Sequence, residues 1–204
     1  VGEGGGVVGV DYDANMVKKA AASTVGTGFE SVIHLFKADA TALPFQSGRF
    51  DACRCERVLQ HMPNPNCVIG EMLRIIKSGG RIAIADTDWG TLSIDTSEVD
   101  LERRLARFRA AMYYNGYAGR QLFRLLRQHR TTEVSVKVYP IVWTDYEAFR
   151  ATSFALNNFE ELAVESGAVD KKELQRFIAS LEEAHEKGVF FASGCLVLVA
   201  GSKP

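Results

Sequence analysis

Two short apolar runs, each closed by an acid, constrain the fold of this chain more than any other feature: VVGVD at residues 7–11 and IAIAD at residues 82–86. Such runs are too short for core helices and suit buried strands of a mainly parallel sheet. The stretch between them repeats the theme. Asp13 stands as an N-cap before ANMVKKAAAST, where Met16, Val17 and Ala20 recur at helical spacing. Ser31 to Phe36 reads as a second strand and Phe50 to Cys55 as a third. From Asn66, CVIGEMLRIIK puts Val68, Met72, Ile75 and Ile76 on one helical face, and Gly79-Gly80 is the expected stop before RIAIAD. This order of strands and helices predicts an open α/β sheet with helices on both faces. Sheets of this kind take ligands beyond the carboxyl ends of their strands.

The second half reads differently. Glu98 to Arg130 suggests two helices broken at YYNGY, and residues 96–130 are expected to be a helical insertion that forms a lid. Val134 to Val142 alternates in part like an outer strand. Asp145 to Ser166 and Asp170 to Lys187 read as two more helices, separated by Gly167, and FFASGCLVLVAG as a last strand. The 204 residues suit a single domain, 47% hydrophobic and 24% charged, which is enough apolar material for a full core. The first residue is Val1 and not Met, so the chain is expected to be incomplete at its N-terminus or processed there.

Charge and cysteine content exclude some classes. A net charge of -1 gives no overall pull toward nucleic acid or a membrane surface. No apolar run approaches the ~20 residues of a membrane-spanning helix, and the start lacks the basic segment of a signal peptide. Cys53, Cys55, Cys67 and Cys195 do not make a dense disulfide framework, which points to a reducing, cytoplasmic setting. Cys53 and Cys55 would share one face of a strand, but two thiols fall short of a zinc site, and no metal is expected.

The glycines of GEGGG at residues 2–6 invite a nucleotide-binding reading. A phosphate- or adenosyl-binding loop, however, follows a strand and opens a helix. Here the glycines precede the strand, so they read as a turn leading into Val7. The functional position is then the other end of that strand. Asp11 can accept two hydrogen bonds from ribose hydroxyls there, or it can simply begin the next helix.

Further along, ADATALPFQSGRFDACRCERVLQHMPNP, followed by EMLRIIKSGGRIAIAD, resembles class I S-adenosylmethionine-dependent methyltransferases. It is most similar to the small-molecule group that includes the quinone-biosynthesis enzymes. The resemblance runs from Val7 to Trp89 through several ordered motifs, and it implies a Rossmann-like sheet. It also implies roles. Asp11 would hold the cofactor ribose with Tyr12 beside the adenine. Asp39 would meet the adenine amino group, with a backbone contact from Ala40. Cys55, Glu56 and Arg57 would line the methionine end. One departure stands out. The family's first strand and its GxGxG loop should precede Val7, with that strand lying between the strands at Val7 and Phe50. Both are absent from the sequence, so an N-terminal segment is expected in the natural protein.

The implied chemistry is methyl transfer from S-adenosylmethionine to a small molecule, by a monomer or homodimer. His61 is the candidate general base, because an imidazole titrates near neutrality. It could instead cap or pack near MPNP. Arg57 could hold an acidic substrate or pair with Glu56 or Asp86. Trp89, Tyr113 and Tyr117 are candidate substrate-pocket walls. Leu101 to Arg130 contains eight arginines and one acid, which leaves open a nucleic-acid or protein substrate. The apolar faces Leu101, Leu105, Phe108, Met112 and Leu122, Leu125, Leu126 instead favour solvated basic flanks on core-packed helices. Asp11 alone also suits NAD, which keeps an NAD-binding oxidoreductase open. The absence of the glycine loop keeps a cofactor-free scaffold open.

Overall fold

The computed structural model describes residues 4–154 and 159–204. Strand β1 (Val7–Asp11), helix α1 (Ala14–Thr24) and β2 (Ile33–Lys37) form a two-stranded parallel unit, with Asp11 paired to Lys37 at its carboxyl end. The Asp13 carboxylate caps α1 by accepting from the Asn15 N–H, as its sequence position predicts. A second sheet runs β3 (Phe50–Glu56), β4 (Ile76–Ile94), β6 (Ala192–Ser202), β5 (Thr132–Trp143). β3 and β4 are parallel, whereas β6 is antiparallel to both of its neighbours. β1 and β3 each pair on one flank only, and no ladder joins the two sheets among the described residues.

Helix α2 (Pro65–Ile75) starts on an Asn64 cap with Pro65 in its first turn, where a missing N–H does no harm. It ends at Ile75, before the expected glycine stop, because Ile76 already pairs with Phe50 as the first residue of β4. Gly80 is needed for a different reason: a Cβ there would stand 2.8 Å from the carbonyl oxygens of Asp51 and Lys77. α2 and α4 (Ala118–Gln128) build the main core on the second sheet. Val68, Ile69, Met72 and Ile75 of α2 meet Ile82, Ile84, Val197, Val199 and the Leu122, Leu125, Leu126 face of α4. Each buried leucine or isoleucine contributes roughly 1.5–3 kcal/mol of transfer free energy.

Within residues 96–130, expected as a helical insertion, α4 packs into the main core with α2. Gly119 makes its docking possible: a Cβ there would lie 2.9 Å from the Asp86 carbonyl oxygen and the Asp88 nitrogen of β4. The part of the segment left over is α3 (Val99–Ala111) and the turn that follows. α3 joins α5 (Tyr146–Phe149), α6 (Phe159–Glu165) and α7 (Lys171–Glu186) in a second core. That core closes on Leu92 and Ile94, at the carboxyl end of β4, and includes Leu101, Leu105, Phe177 and Leu181. The cap over this end of the sheet is thus assembled from two separate stretches of chain. The helix expected over Asp145 to Ser166 is described in two parts: α5 passes into a π-helical turn at Arg150–Phe154, residues 155–158 lie outside the described residues, and α6 follows.

The β1–α1–β2 unit is joined to this body by the loop after β2. α1 buries no side chain of its own. Leu43 of the loop sits in the main core and donates its N–H to the Glu71 carboxylate at 2.7 Å. Arg74 pairs with Glu71 and also donates to the carbonyls of Leu43 and Phe45. A buried apolar anchor and a forked guanidinium together fix the path of an otherwise irregular segment.

Candidate active site

The predicted site residues fall into two groups, one on each sheet. Asp11, Tyr12, Asp39 and Ala40 gather at the carboxyl ends of β1 and β2, where the Asp11 carbonyl accepts from the Ala38 N–H at 3.0 Å. Asp11 Oδ1 accepts from the Asp13 N–H at 2.8 Å. Asp39 Oδ1 accepts from both the N–H and the hydroxyl of Thr41, which hold its carboxyl below the usual range. Both acids are exposed, and among the described residues neither uses Oδ2 in a hydrogen bond. The Tyr12 ring is 73% exposed, with the Lys37 ammonium 5.8 Å from its centre.

The second group surrounds the carboxyl ends of β3 and β4. A cavity of about 240 Å³ opens there, with Glu56, Arg57, Asp88, Trp89, Leu92 and Trp143 in its wall. Arg57 is held in the left-handed region at φ 55°, which costs a non-glycine residue on the order of 1 kcal/mol. Its N–H still donates to the Ala85 carbonyl at 2.8 Å, so it extends the β3–β4 ladder by one step and then turns away. No carboxylate lies within ion-pair distance of Arg57 among the described residues, although both Glu56 and Asp86 were candidates. Cys53 and Cys55 alternate inward against the main core, where burial pushes the Cys53 thiol up to about 11 and raises that of Cys55 further. Such thiols stay protonated and are not nucleophiles at neutral pH.

A hydrogen-bonded chain runs beneath the cavity. Asp86, fully buried at the end of the apolar run, accepts from the N–H groups of Gln60 and Thr87. Its burial outweighs those bonds and raises its pKa to about 6. Gln60, in the 3₁₀ turn Leu59–His61, accepts the indole N–H of Trp89 at 2.8 Å, and its amide meets the His61 ring at 3.3 Å. The Trp89 and Tyr113 rings stack at 5.3 Å with an interplanar angle of 9°, and His61 lies 5.3 Å from Tyr113 on its other contact. His61, Trp89 and Tyr113 are therefore brought together from distant points in the chain. The His61 pKa is lowered by partial burial and by the Arg57 charge, which favours the neutral imidazole that can accept a proton.

Tyr117 stands elsewhere. Its ring packs where a Gly90 side chain would be and lies under the Arg120 guanidinium, which pairs with buried Asp88 at 2.6 Å. It packs against β4 at Gly90 and is not among the residues that line the cavity. The basic segment is also less free than its composition suggests. Arg103, Arg104 and Arg120 pair with Glu102, Glu173 and Asp88, and Arg109 is buried. Sequence reasoning missed Gln60, Asp88 and Arg109, because Trp89, which meets Gln60 and Arg109, and Arg120, which meets Asp88, lie far from them in the chain. The cavity residues Leu92 and Trp143 were legible only as apolar.

Residues 2–84 match the family model described as "Methyltransferase domain". Over its full length the chain is 30% identical to an uncharacterized 37.1 kDa protein in transposon TN4556 of Streptomyces fradiae, of which it covers 57%. It is 27% identical to the demethylmenaquinone methyltransferase of Lactococcus lactis over 161 residues, 79% of this chain and 60% of that one. The chain thus spans less than two thirds of the length of these curated relatives. Among solved structures, geranyl diphosphate C-methyltransferase from Streptomyces coelicolor, in complex with geranyl diphosphate and S-adenosyl-L-homocysteine, superposes with a TM-score of 0.55 at 18% identity. That superposition covers 98% of this chain and 64% of the other. No helix among the described residues is long and apolar enough to cross a membrane. The sheet order and the helices that cover it have the α/β, Rossmann-like fold of these solved methyltransferases, and residues 2–84 are similar to the methyltransferase domain family.

Proposed function

We propose that the protein transfers a methyl group from S-adenosylmethionine to a small-molecule acceptor. The observation that carries this reading is the pair of exposed acids, Asp11 and Asp39, at adjacent carboxyl ends of β1 and β2, each with one carboxylate oxygen uncommitted. Two free acceptors beside an exposed tyrosine ring fit a nucleoside, with its hydroxyls, amine and base. In this reading Asp11 holds the ribose, Tyr12 lies along the base, and Asp39 and the Ala40 backbone meet the adenine. Glu56 and Arg57 face the amino-acid end, and Cys55, whose side chain packs on the main core, contributes its backbone there. When bound, S-adenosylmethionine supplies a methyl group already activated by its sulfonium charge.

The work left to the protein is to position the acceptor and keep water away. The cavity at the ends of β3 and β4 receives the acceptor, with Trp89 as a wall held in place by Gln60 and Tyr113. α3 and the turn at residues 112–117 serve as the lid. His61 removes a proton from the acceptor where the attacking atom carries one. The quinone methyltransferase relative supports a small-molecule acceptor. The pairing of the arginines in residues 101–130 weighs against nucleic acid. Four free thiols fit a reducing compartment, and we place the protein in the cytoplasm on that ground.

Titration calorimetry tests this reading. S-adenosylhomocysteine is expected to bind in preference to NAD. Asp11→Ala should weaken that binding by roughly 1–3 kcal/mol, or about 5- to 150-fold, because ribose hydroxyls lose a charged acceptor. Preference for NAD, or an unchanged affinity in a natively folded Asp11→Ala protein, would overturn it.

A further inference from the structure

The Gln60 amide has only one chemically consistent orientation, and that orientation reaches His61. Gln60 is 2% exposed and lies in the turn Leu59–His61. An indole N–H can only donate, so the Gln60 atom 2.8 Å from Trp89 Nε1 is the amide oxygen. The other end of the amide is then its NH2 group. One of those hydrogens goes to the Arg57 carbonyl at 3.4 Å and the other to His61 Nε2 at 3.3 Å. Turning the amide over would set two donors against each other at Trp89 and two acceptors against each other at Arg57. The Gln60 backbone is held too, since its N–H donates to the buried Asp86 carboxylate.

This orientation decides where the His61 proton sits. A donor facing Nε2 needs a lone pair there, and a neutral imidazole with a lone pair on Nε2 carries its proton on Nδ1. His61 is exposed, so water can satisfy the Nδ1–H. The free ring in solution favours the opposite form, with the proton on Nε2. We propose that Gln60 is a positioning residue: oriented by the Trp89 indole, it holds His61 as the Nδ1–H tautomer and keeps Nε2 as the basic atom of the ring. This inference rests on the methyl-transfer reading for the role of His61 as base, but the tautomer itself does not. Where the attacking atom of the acceptor carries a proton, that proton passes to Nε2 and its bonding pair stays on the acceptor. The Gln60 N–H gives way in that step. At 3.3 Å its bond to Nε2 is long, so the acceptor displaces it at small cost. The Nε2–H so formed faces the Gln60 NH2, donor against donor, and the imidazolium returns its proton to water. The Arg57 charge, which lowers the His61 pKa, acts in the same direction.

The test reads the tautomer directly and needs neither cofactor nor acceptor. Two-bond 1H–15N spectra of protein labelled at histidine, taken at about pH 8, show which ring nitrogen carries hydrogen once the imidazoles are neutral. Of the four histidines, the signals missing from a His61→Gln sample are those of His61. We expect its Nδ1 to show the shift of a protonated nitrogen and its Nε2 that of a bare one. Gln60→Glu keeps an acceptor for Trp89 but puts a carboxylate oxygen where the NH2 was, so the proton should move to Nε2. An Nε2–H tautomer in the wild type overturns the proposal, and so does an unchanged Nδ1–H pattern in Gln60→Glu that folds by circular dichroism. If Gln60→Glu does not fold, Trp89→Phe takes its place: without the indole the amide is free to turn, and the Nε2–H form should grow. If neither folds, the wild-type spectrum decides alone. Steady-state kinetics of His61→Gln keep the two readings apart. Unchanged kcat beside an Nδ1–H wild type removes the base and leaves the tautomer standing. Lowered kcat beside an Nε2–H wild type overturns the role of Gln60 and leaves the base standing.

Discussion

Asp86 should leave a specific mark on the pH dependence of stability. Its folded-state pKa is raised to about 6, against 3.8 for the unperturbed group, chiefly because burial disfavours the carboxylate. Between about pH 4 and pH 6 the folded protein holds this proton and the unfolded chain has released it. Stability falls with rising pH wherever the native state binds more protons. The stabilising contribution is therefore complete below about pH 4 and is lost as pH rises through about 6. A shift of about two units corresponds to roughly 3 kcal/mol. The assay is urea unfolding of the wild type and of Asp86→Asn at half-unit steps from pH 4 to pH 7.5. The difference between the two proteins isolates this group from the other titrating acids. The wild-type advantage should shrink by roughly 2–3 kcal/mol across that window. Because the Arg57 charge pulls the Asp86 pKa down, Arg57→Gln should move the window to higher pH. A difference that stays flat within about 0.5 kcal/mol would refute the assignment of Asp86 as a buried acid protonated near pH 5.

Two further outcomes follow from the chain of contacts beneath the cavity. Gln60→Leu should destabilise the protein by roughly 1–3 kcal/mol in urea unfolding, because the buried Trp89 indole N–H loses its acceptor. An effect near zero would mean that the indole finds another partner. His61→Gln should lower kcat for an acceptor that must lose a proton and leave the dissociation constant for S-adenosylhomocysteine unchanged, measured by steady-state kinetics and calorimetry. An unchanged kcat removes His61 as the base.

Which features were legible depended on where their partners lay. β1, β2, β3 and α2 announce themselves through short apolar runs and local caps, and the Asp13 cap forms where its sequence position puts it. The Leu122, Leu125, Leu126 stripe also reads correctly as a core face. β4 is longer than its apolar run, because Asp86, Thr87 and Asp88 look like a loop and are in fact buried. They are satisfied by Gln60, by a neighbouring N–H and by Arg120, all supplied by the fold. The same difficulty hides the cap. α3 and α7 share a core although about 60 residues separate them, and each alone reads as an ordinary amphipathic helix. Composition misleads most over residues 101–130. Eight arginines suggest a basic surface, but three are tied to acids and Arg109 is buried against aromatic rings. The four-residue spacing of Arg109, in the last turn of α3, and Tyr113, just past its end, was the one local sign of that contact.

The carboxyl ends of β1 and β2 should hold an adenosyl cofactor, and hydrogen–deuterium exchange with and without S-adenosylhomocysteine tests this most directly. Backbone amides at residues 11–13 and 38–41 are predicted to slow when the ligand is added, since binding stabilises the state it selects. The same residues should slow less in Asp11→Ala at a ligand concentration that only just saturates the wild type, because its site is then partly empty. Saturating ligand that leaves both segments unprotected, while other parts of the chain slow, would contradict the account.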